Sequence, residues 1–177
     1  NLQPDGSPDK RRDMNIVSSW NGETFTGSKI YFGPKFWCYG MTQTYDSNNY
    51  PIFRYADAVL MKAECLCMQE EDAALSIEYL NKVKRRAGIT EYTHFRTWVR
   101  LMDEIMTERA RELFGEFQRK FDLVRWGNWY YRTTLLTDSK KVLENILPCH
   151  EYYPIPDTEV TNSGYALDNN AYAAYGL

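Results

Sequence analysis

PIFRYADAVLMKAECLCMQEEDAALSIEYLNKVKRRAG, residues 51–88, decides the fold class of this chain. From Arg54 onward Ala56, Val59, Leu60, Ala63, Leu66 and Cys67 recur at i, i+3, i+4 and i+7, the spacing of one buried face on an α-helix. Pro51 sits near the start, where a missing N–H does least harm. Asp72 is placed to cap a second helix whose stripe is Ala73, Ile77, Leu80, Val83 and Ala87, and Gly88 supplies a left-handed stop. Two helices joined by so short a polar turn predict an antiparallel hairpin. Its span of about 34 residues, with small alanines at the crossing, is that of a tetratricopeptide unit, although one copy does not make a repeat array.

Downstream, Trp98, Val99, Met102, Ile105 and Met106 predict a third helix over 95–113, which Gly115 interrupts. Phe121, Leu123, Val124 and Trp126 predict a shorter fourth that Gly127 ends, and 139–147 can add another turn or two. From Pro148 the chain reads as loop, and Pro154-Ile155-Pro156 enforces an extended path. Upstream, glycines at 6, 22, 27, 33 and 40 punctuate a segment without a sustained period, read as loops with at most short strands. The expected fold is therefore all-α: packed helices with a tetratricopeptide-like hairpin, wrapped by long irregular loops. The expected organisation is a single domain over 1–177, with a loop-rich segment at 1–50, a helical core at 51–127, and loops and a tail at 128–177.

At 177 residues the chain can bury most of the surface that its unfolded form exposes. Its 21 basic and 24 acidic residues give a net charge of −3, and the one short basic block, Lys82 to Arg86, is no electrostatic footprint for nucleic acid. Those cations close a helix, where they complement its dipole. Cys38, Cys65, Cys67 and Cys149 form no C-x-x-C pair, so neither a zinc knuckle nor a local disulfide is indicated. No apolar run approaches 18 residues, and no signal-peptide pattern opens the chain.

The stretch 105–126, IMTERARELFGEFQRKFDLVRW, sets acids and arginines among apolar residues at helical spacing. Leu101, Ile105, Glu108 and Glu112 share one face, so two carboxylates point with the apolar stripe and need partners once buried. Arg109, Arg111, Arg119 and Arg125 are near enough in sequence to supply forked donors. The expectation is a structural ion-pair cluster of Glu108, Arg109, Glu112, Arg119, Asp122 and Arg125. The rival reading makes Glu108 and Glu112 an acid/base pair of a glycan-processing enzyme, or half of a carboxylate metal site. Neither His94 nor His150 stands at the spacing a di-iron helix site requires, and no nucleophile, zinc or nucleotide motif occurs. We therefore expect binding and not catalysis, with no metal and no cofactor.

Aromatic residues make up 15% of the chain, enough for surface rings as well as core ones. Trp20, Tyr31, Trp37 and Tyr39 fall in the glycine-punctuated segment, and Trp129 follows Gly127 in what reads as another loop. Rings on loops are lids over a core or platforms on which sugar C–H faces stack, with Asn21, Asp46, Asn48, Asn49 and Asn128 in reach for hydroxyls. These five rings are the candidate ligand contacts.

Four blocks together resemble the SusD/RagB family of Bacteroidetes outer-membrane nutrient-binding lipoproteins. They are the Arg54–Glu64 run R-Y-A-D-A-V-L-M-K-A-E, Leu80–Gly88 as L-N-K-V-K-R-R-A-G, E-R-A-R-E-L from Glu108 continuing to Asp122-Leu123-x-Arg125-Trp126-Gly127, and Y-Y-P-I-P-D-T-E from Tyr152. Their order and spacing match as well, over most of residues 27–172. The family's closing Gln-Asn before Gly-Tyr is here Asp168-Asn169-Asn170-Ala171-Tyr172. The resemblance implies a SusD-like fold and a cell-surface location in the outer membrane through a lipid anchor outside this chain. It also implies capture of an oligosaccharide or peptide nutrient and partnership with a SusC-like TonB-dependent transporter. Since the family's members are longer and begin with a lipoprotein signal, it further implies that these residues form a C-terminal portion acting mainly as scaffold. A rival reading keeps the hairpin but makes it a protein-interaction scaffold with no glycan ligand.

Overall fold

The computed structural model describes residues 3, 6–25, 31–42, 49–127 and 129–177, with Tyr31 described through its backbone alone. The ring of Tyr31 and the side chains of Asp46, Asn48 and Asn128, all named above as candidate contacts, lie outside the described residues. The chain divides into two compact units, Asn1–Arg119 and Lys120–Leu177.

The first unit begins with a short helix, α1 (Arg11–Asn15), followed by two-residue strands β1 (Ile16–Val17), β2 (Ser19–Trp20), β3 (Glu23–Thr24) and β4 (Tyr31–Phe32). β2 and β3 form a hairpin with Ser19 opposite Thr24, and Asn21 and Gly22 take positive φ in the tight turn between them. That is the geometry for which Asn-Gly is favoured. β1 pairs antiparallel with β4, Ile16 opposite Phe32, and a single 3-10 turn follows at Pro34–Phe36.

Three helices of fifteen residues form the core: α2 (Tyr55–Gln69), α3 (Ala73–Ala87) and α4 (Trp98–Glu112). Local chemistry sets their ends. The Asp72 carboxylate accepts from the Leu75 N–H at 2.9 Å, and the Thr97 hydroxyl accepts from the Arg100 N–H at 3.2 Å. Gly88 is left-handed, so its N–H reaches the Arg85 carbonyl at 3.0 Å and the Ile89 N–H reaches Lys84 at 3.1 Å. Pro51 lies ahead of α2, with Arg54 as the extended residue at its N-terminal boundary. The apolar faces meet in one cluster of Val59, Leu60, Ala63, Cys67, Leu80, Val83, Leu101 and Ile105. Ser76, fully buried at the α2–α3 crossing, donates to the Ala63 carbonyl at 2.7 Å, so its hydroxyl is satisfied inside the core.

After α4 the chain turns through Gly115 at φ +76°, and a Cβ there would stand 2.6 Å from Cζ of Phe36 and 2.9 Å from Cε1 of Phe32. Only glycine meets both conditions, and the contact seats the aromatic end of the irregular segment against the turn.

The division between units falls at the start of α5 (Arg119–Arg125). The second unit continues through α6 (Trp129–Leu136), α7 (Lys140–Asn145), α8 (Asp157–Asn162) and α9 (Asn170–Ala173). Residues 128–177, read from sequence as loops and tail with a turn or two of helix at 139–147, thus carry that helix and others too brief for a clear period to show. Between α7 and α8 the double-proline run is extended as expected, and Asn169 fixes it. The Ile155 N–H donates to Asn169 Oδ1 at 2.8 Å, and Asn169 Nδ2 donates back to the Ile155 carbonyl at 2.9 Å.

Candidate functional site

Four-residue spacing along α4 and the turn beyond it puts Glu108, Glu112 and Glu116 in one buried column. Glu108 has no exposed surface, and Glu112 and Glu116 are 3% exposed. The cations that meet them come from every other part of the first unit. Arg11 on α1 forks between Glu108 Oε1 at 2.6 Å and Glu112 Oε2 at 3.0 Å, while its other side holds Asp9 at 2.7 Å. Arg54, at the entrance of α2, joins Glu112 at 3.0 Å to Glu116, which it grips in bidentate fashion at 2.7 and 2.8 Å. Lys35 reaches Glu116 at 2.6 Å and the carbonyls of Glu112 and Phe114 at 2.8 and 3.0 Å. From the end of α3, Lys84 pairs with Glu104 at 2.6 Å and lies 3.8 Å from Glu108, and Arg86 pairs with Glu112. Asp9, Glu104, Glu108, Glu112 and Glu116 thus face Arg11, Lys35, Arg54, Lys84 and Arg86, and the charges balance.

Two sequence expectations change here. Arginines adjacent in sequence were to supply the donors for Glu108 and Glu112, whereas Arg11, Arg54 and Arg86 arrive from distant segments. Arg109 meets Asp57 on α2 at 2.8 Å, Arg119 donates to the Met106 carbonyl at 3.3 Å, and Arg125 pairs with Asp122 within α5 at 2.9 Å. Lys84 and Arg86, read as cations that complement the dipole at a helix end, join the column, and Lys84 is buried.

Burial alone would raise the Glu112 carboxyl, but hydrogen bonds and charge from Arg86 and Arg11, with Arg54 behind them, hold it below its ordinary 4.5. Glu116 is likewise held down, burial opposing, by Arg54 and Lys35. The Lys35 ammonium is also lowered, from its ordinary 10.5, because burial outweighs its attraction to Glu116. A carboxylate whose folded pKa is depressed stabilises the fold fully above its unfolded value and loses that contribution as pH falls through the folded one. The melting temperature is therefore expected to stay level down to about pH 5 and to drop as pH falls below the ordinary 4.5, where the unfolded chain takes protons that the folded Glu112 and Glu116 still refuse. A profile that stays flat to pH 3 in thermal denaturation would contradict this.

Such a column is badly suited to proton transfer. A glycosidase acid/base pair needs one carboxyl raised towards neutrality, and Glu112 is held the opposite way with guanidinium groups on both oxygens. Among the described residues no group of three or more His, Cys, Asp or Glu stands where it can hold a metal ion, and no helix is long and apolar enough to cross a membrane.

The candidate rings separate. Trp20 and Trp37 lie together with centroids 5.9 Å apart, and Trp37 Nε1 donates to the Phe32 carbonyl at 2.8 Å. Both remain half-buried, while Tyr39 is fully exposed beyond them. Trp129 is not on a loop. It opens α6 in the second unit and is 7% exposed, so its faces serve that unit's interior and do not form an open platform. Among the described candidate rings of the first unit, Trp20, Trp37 and Tyr39 keep accessible surface.

The SusD family model matches residues 34–172. A SusD-like protein of Formosa agariphila is 32% identical over 89% of this chain and 32% of its own length. The starch-binding protein SusD of Bacteroides thetaiotaomicron is 33% identical over 73% of this chain and 22% of its own length. Among solved structures, a SusD superfamily protein from Bacteroides vulgatus superposes with TM-score 0.66 over 91% of this chain and 39% of that one, at 24% identity. A SusD homologue from Bacteroides thetaiotaomicron gives 0.60 over 89% and 34%, at 26% identity. The chain spans about a third or less of the length of the curated relatives that it matches.

Proposed function

The chain belongs to the SusD family, and on that premise we propose that it serves a cell-surface nutrient-binding protein of the outer membrane, held there by a lipid anchor. In this reading the protein captures oligosaccharide and hands it to a SusC-like TonB-dependent transporter, and the present residues act mainly as scaffold. The observation that carries it is the family match over residues 34–172, which takes in the helical hairpin and the buried glutamate column. The name of the Bacteroides thetaiotaomicron relative supports a glycan as the nutrient.

Capture needs shape, stacking rings and hydrogen bonds, and no covalent step. The helices and their locked charges supply rigidity, and Trp20, Trp37 and Tyr39 are the part of the first unit offered to a sugar face. The transporter partnership is tested by affinity purification of the protein from membranes in mild detergent. A TonB-dependent barrel of SusC type, identified by mass spectrometry at near-stoichiometric yield, is the expected result; recovery of the protein without any such barrel would contradict it.

A further inference from the structure

Within the second unit, the extended run before α8 and the last helix α9 border an open cavity of about 600 Å³, a size typical of small-ligand sites. Tyr152, Tyr153, Tyr172 and Tyr175 contribute to its wall. Its charged residues are Glu151 and Asp168, and no Lys, Arg or His lines it. Neither carboxylate forms an ion pair among the described residues; Asp168 accepts only the Asn170 N–H, at 2.9 Å.

The hydrogen-bond inventory narrows the ligand. The Asn169 amide is engaged at both ends by Ile155, and the Tyr172 hydroxyl donates to the Tyr152 carbonyl. Apart from the remaining tyrosine hydroxyls, the polar groups left for a ligand are carboxylate acceptors. A sugar presents as many acceptors as donors and finds few fixed donors here. A cation needs none, and ring faces beside unpaired carboxylates are its natural surroundings. One of these rings already holds a cation: Lys120, which does not line the cavity, sets its Nζ 3.8 Å from the Tyr153 centroid.

We propose that this cavity binds an organic ammonium ion, seated against the tyrosine faces with Glu151 and Asp168 as counter-charges. This goes beyond the nutrient-binding reading and does not depend on it. The test titrates choline into the full 177-residue chain while following the amide and methyl resonances of Ala171 and Ala174, which line the cavity. 3,3-Dimethyl-1-butanol, the neutral isostere of choline, and maltotriose are run beside it. The expected result is a saturable shift with choline, about tenfold weaker for the isostere and absent with maltotriose. Glu151→Gln should weaken choline about threefold while resonances elsewhere stay in place. Equal affinity for choline and its isostere would make the cavity merely apolar, and saturation by maltotriose ahead of choline would make it a sugar site; either overturns the proposal. The absence of a saturable choline shift in the folded chain does so as well.

Discussion

Glu112→Ala is expected to lower the stability of the first unit by about 3 kcal/mol, the lower part of the range for breaking a buried ion pair. The side chain is 3% exposed and receives Arg11, Arg54 and Arg86. Its loss does not strand all three. Arg11 keeps Asp9 and Glu108, Arg54 keeps Glu116, and Arg86, with a side chain 58% exposed, can turn to water. What is left is a net surplus of positive charge beside a small cavity, with one carboxylate fewer to answer it. At about 2–4 °C per kcal/mol for a chain of this size, the melting temperature should fall by about 6–12 °C. Glu112→Gln, which keeps the shape and removes the charge, should fall nearly as far. The control is Glu78→Ala, whose partner Arg85 is about half exposed as Glu78 is itself, so a change below about 1 kcal/mol is expected there. Equal melting of the Glu112 variants and the parent would show that the column contributes nothing.

Leu101→Ala should cost as much by a different route. Leu101 is fully buried on α4, in the cluster with Leu60, Leu80 and Ile105. Removing its three outer carbons loses their transfer free energy and leaves a cavity between packed helices, a change worth about 2–5 kcal/mol. Because Glu108 and Glu112 ride on the same helix, the cavity also loosens the element that holds the carboxylates in register. Val99→Ala, on the solvent side of α4 at 72% exposure, should stay within about 0.5 kcal/mol of the parent. Urea denaturation of both variants separates these outcomes. A Leu101→Ala midpoint no lower than that of Val99→Ala would mean that α4 does not pack as described.

The contrast between those two routes explains what could be read from sequence. The apolar stripes of α2, α3 and α4, the Asp72 cap and the Gly88 stop are set by residues within a few positions of each other, so their pattern is visible without the fold. Burial of Glu108 and Glu112 follows from the same periodicity. Their partners do not, since Arg11 and Glu108 are 97 residues apart and Arg54 and Glu112 are 58 apart. One signal was present: Arg54 opens the block R-Y-A-D, and Arg86 stands in R-R-A-G, both carried by the family resemblance. A cation fixed in such a block at a helix end deserves a search for a distant acid before it is assigned to the helix dipole. Trp129 shows the opposite error, because Gly127 does end a helix, but the next one begins two residues later and turns the ring inward.

The buried column and the exposed rings lead to one distinction, between capture and catalysis. The most direct measurement incubates the protein with a panel of soluble oligosaccharides and follows, in one sample, retention of the intact glycan by calorimetry and release of shorter products by chromatography. Binding is predicted with no change in the glycan, and Trp37→Ala is expected to weaken it where Glu112→Gln in the folded state does not. Shortened products that vanish in Glu112→Gln would contradict the account, because the buried carboxylate would then be a reacting group and not a strut.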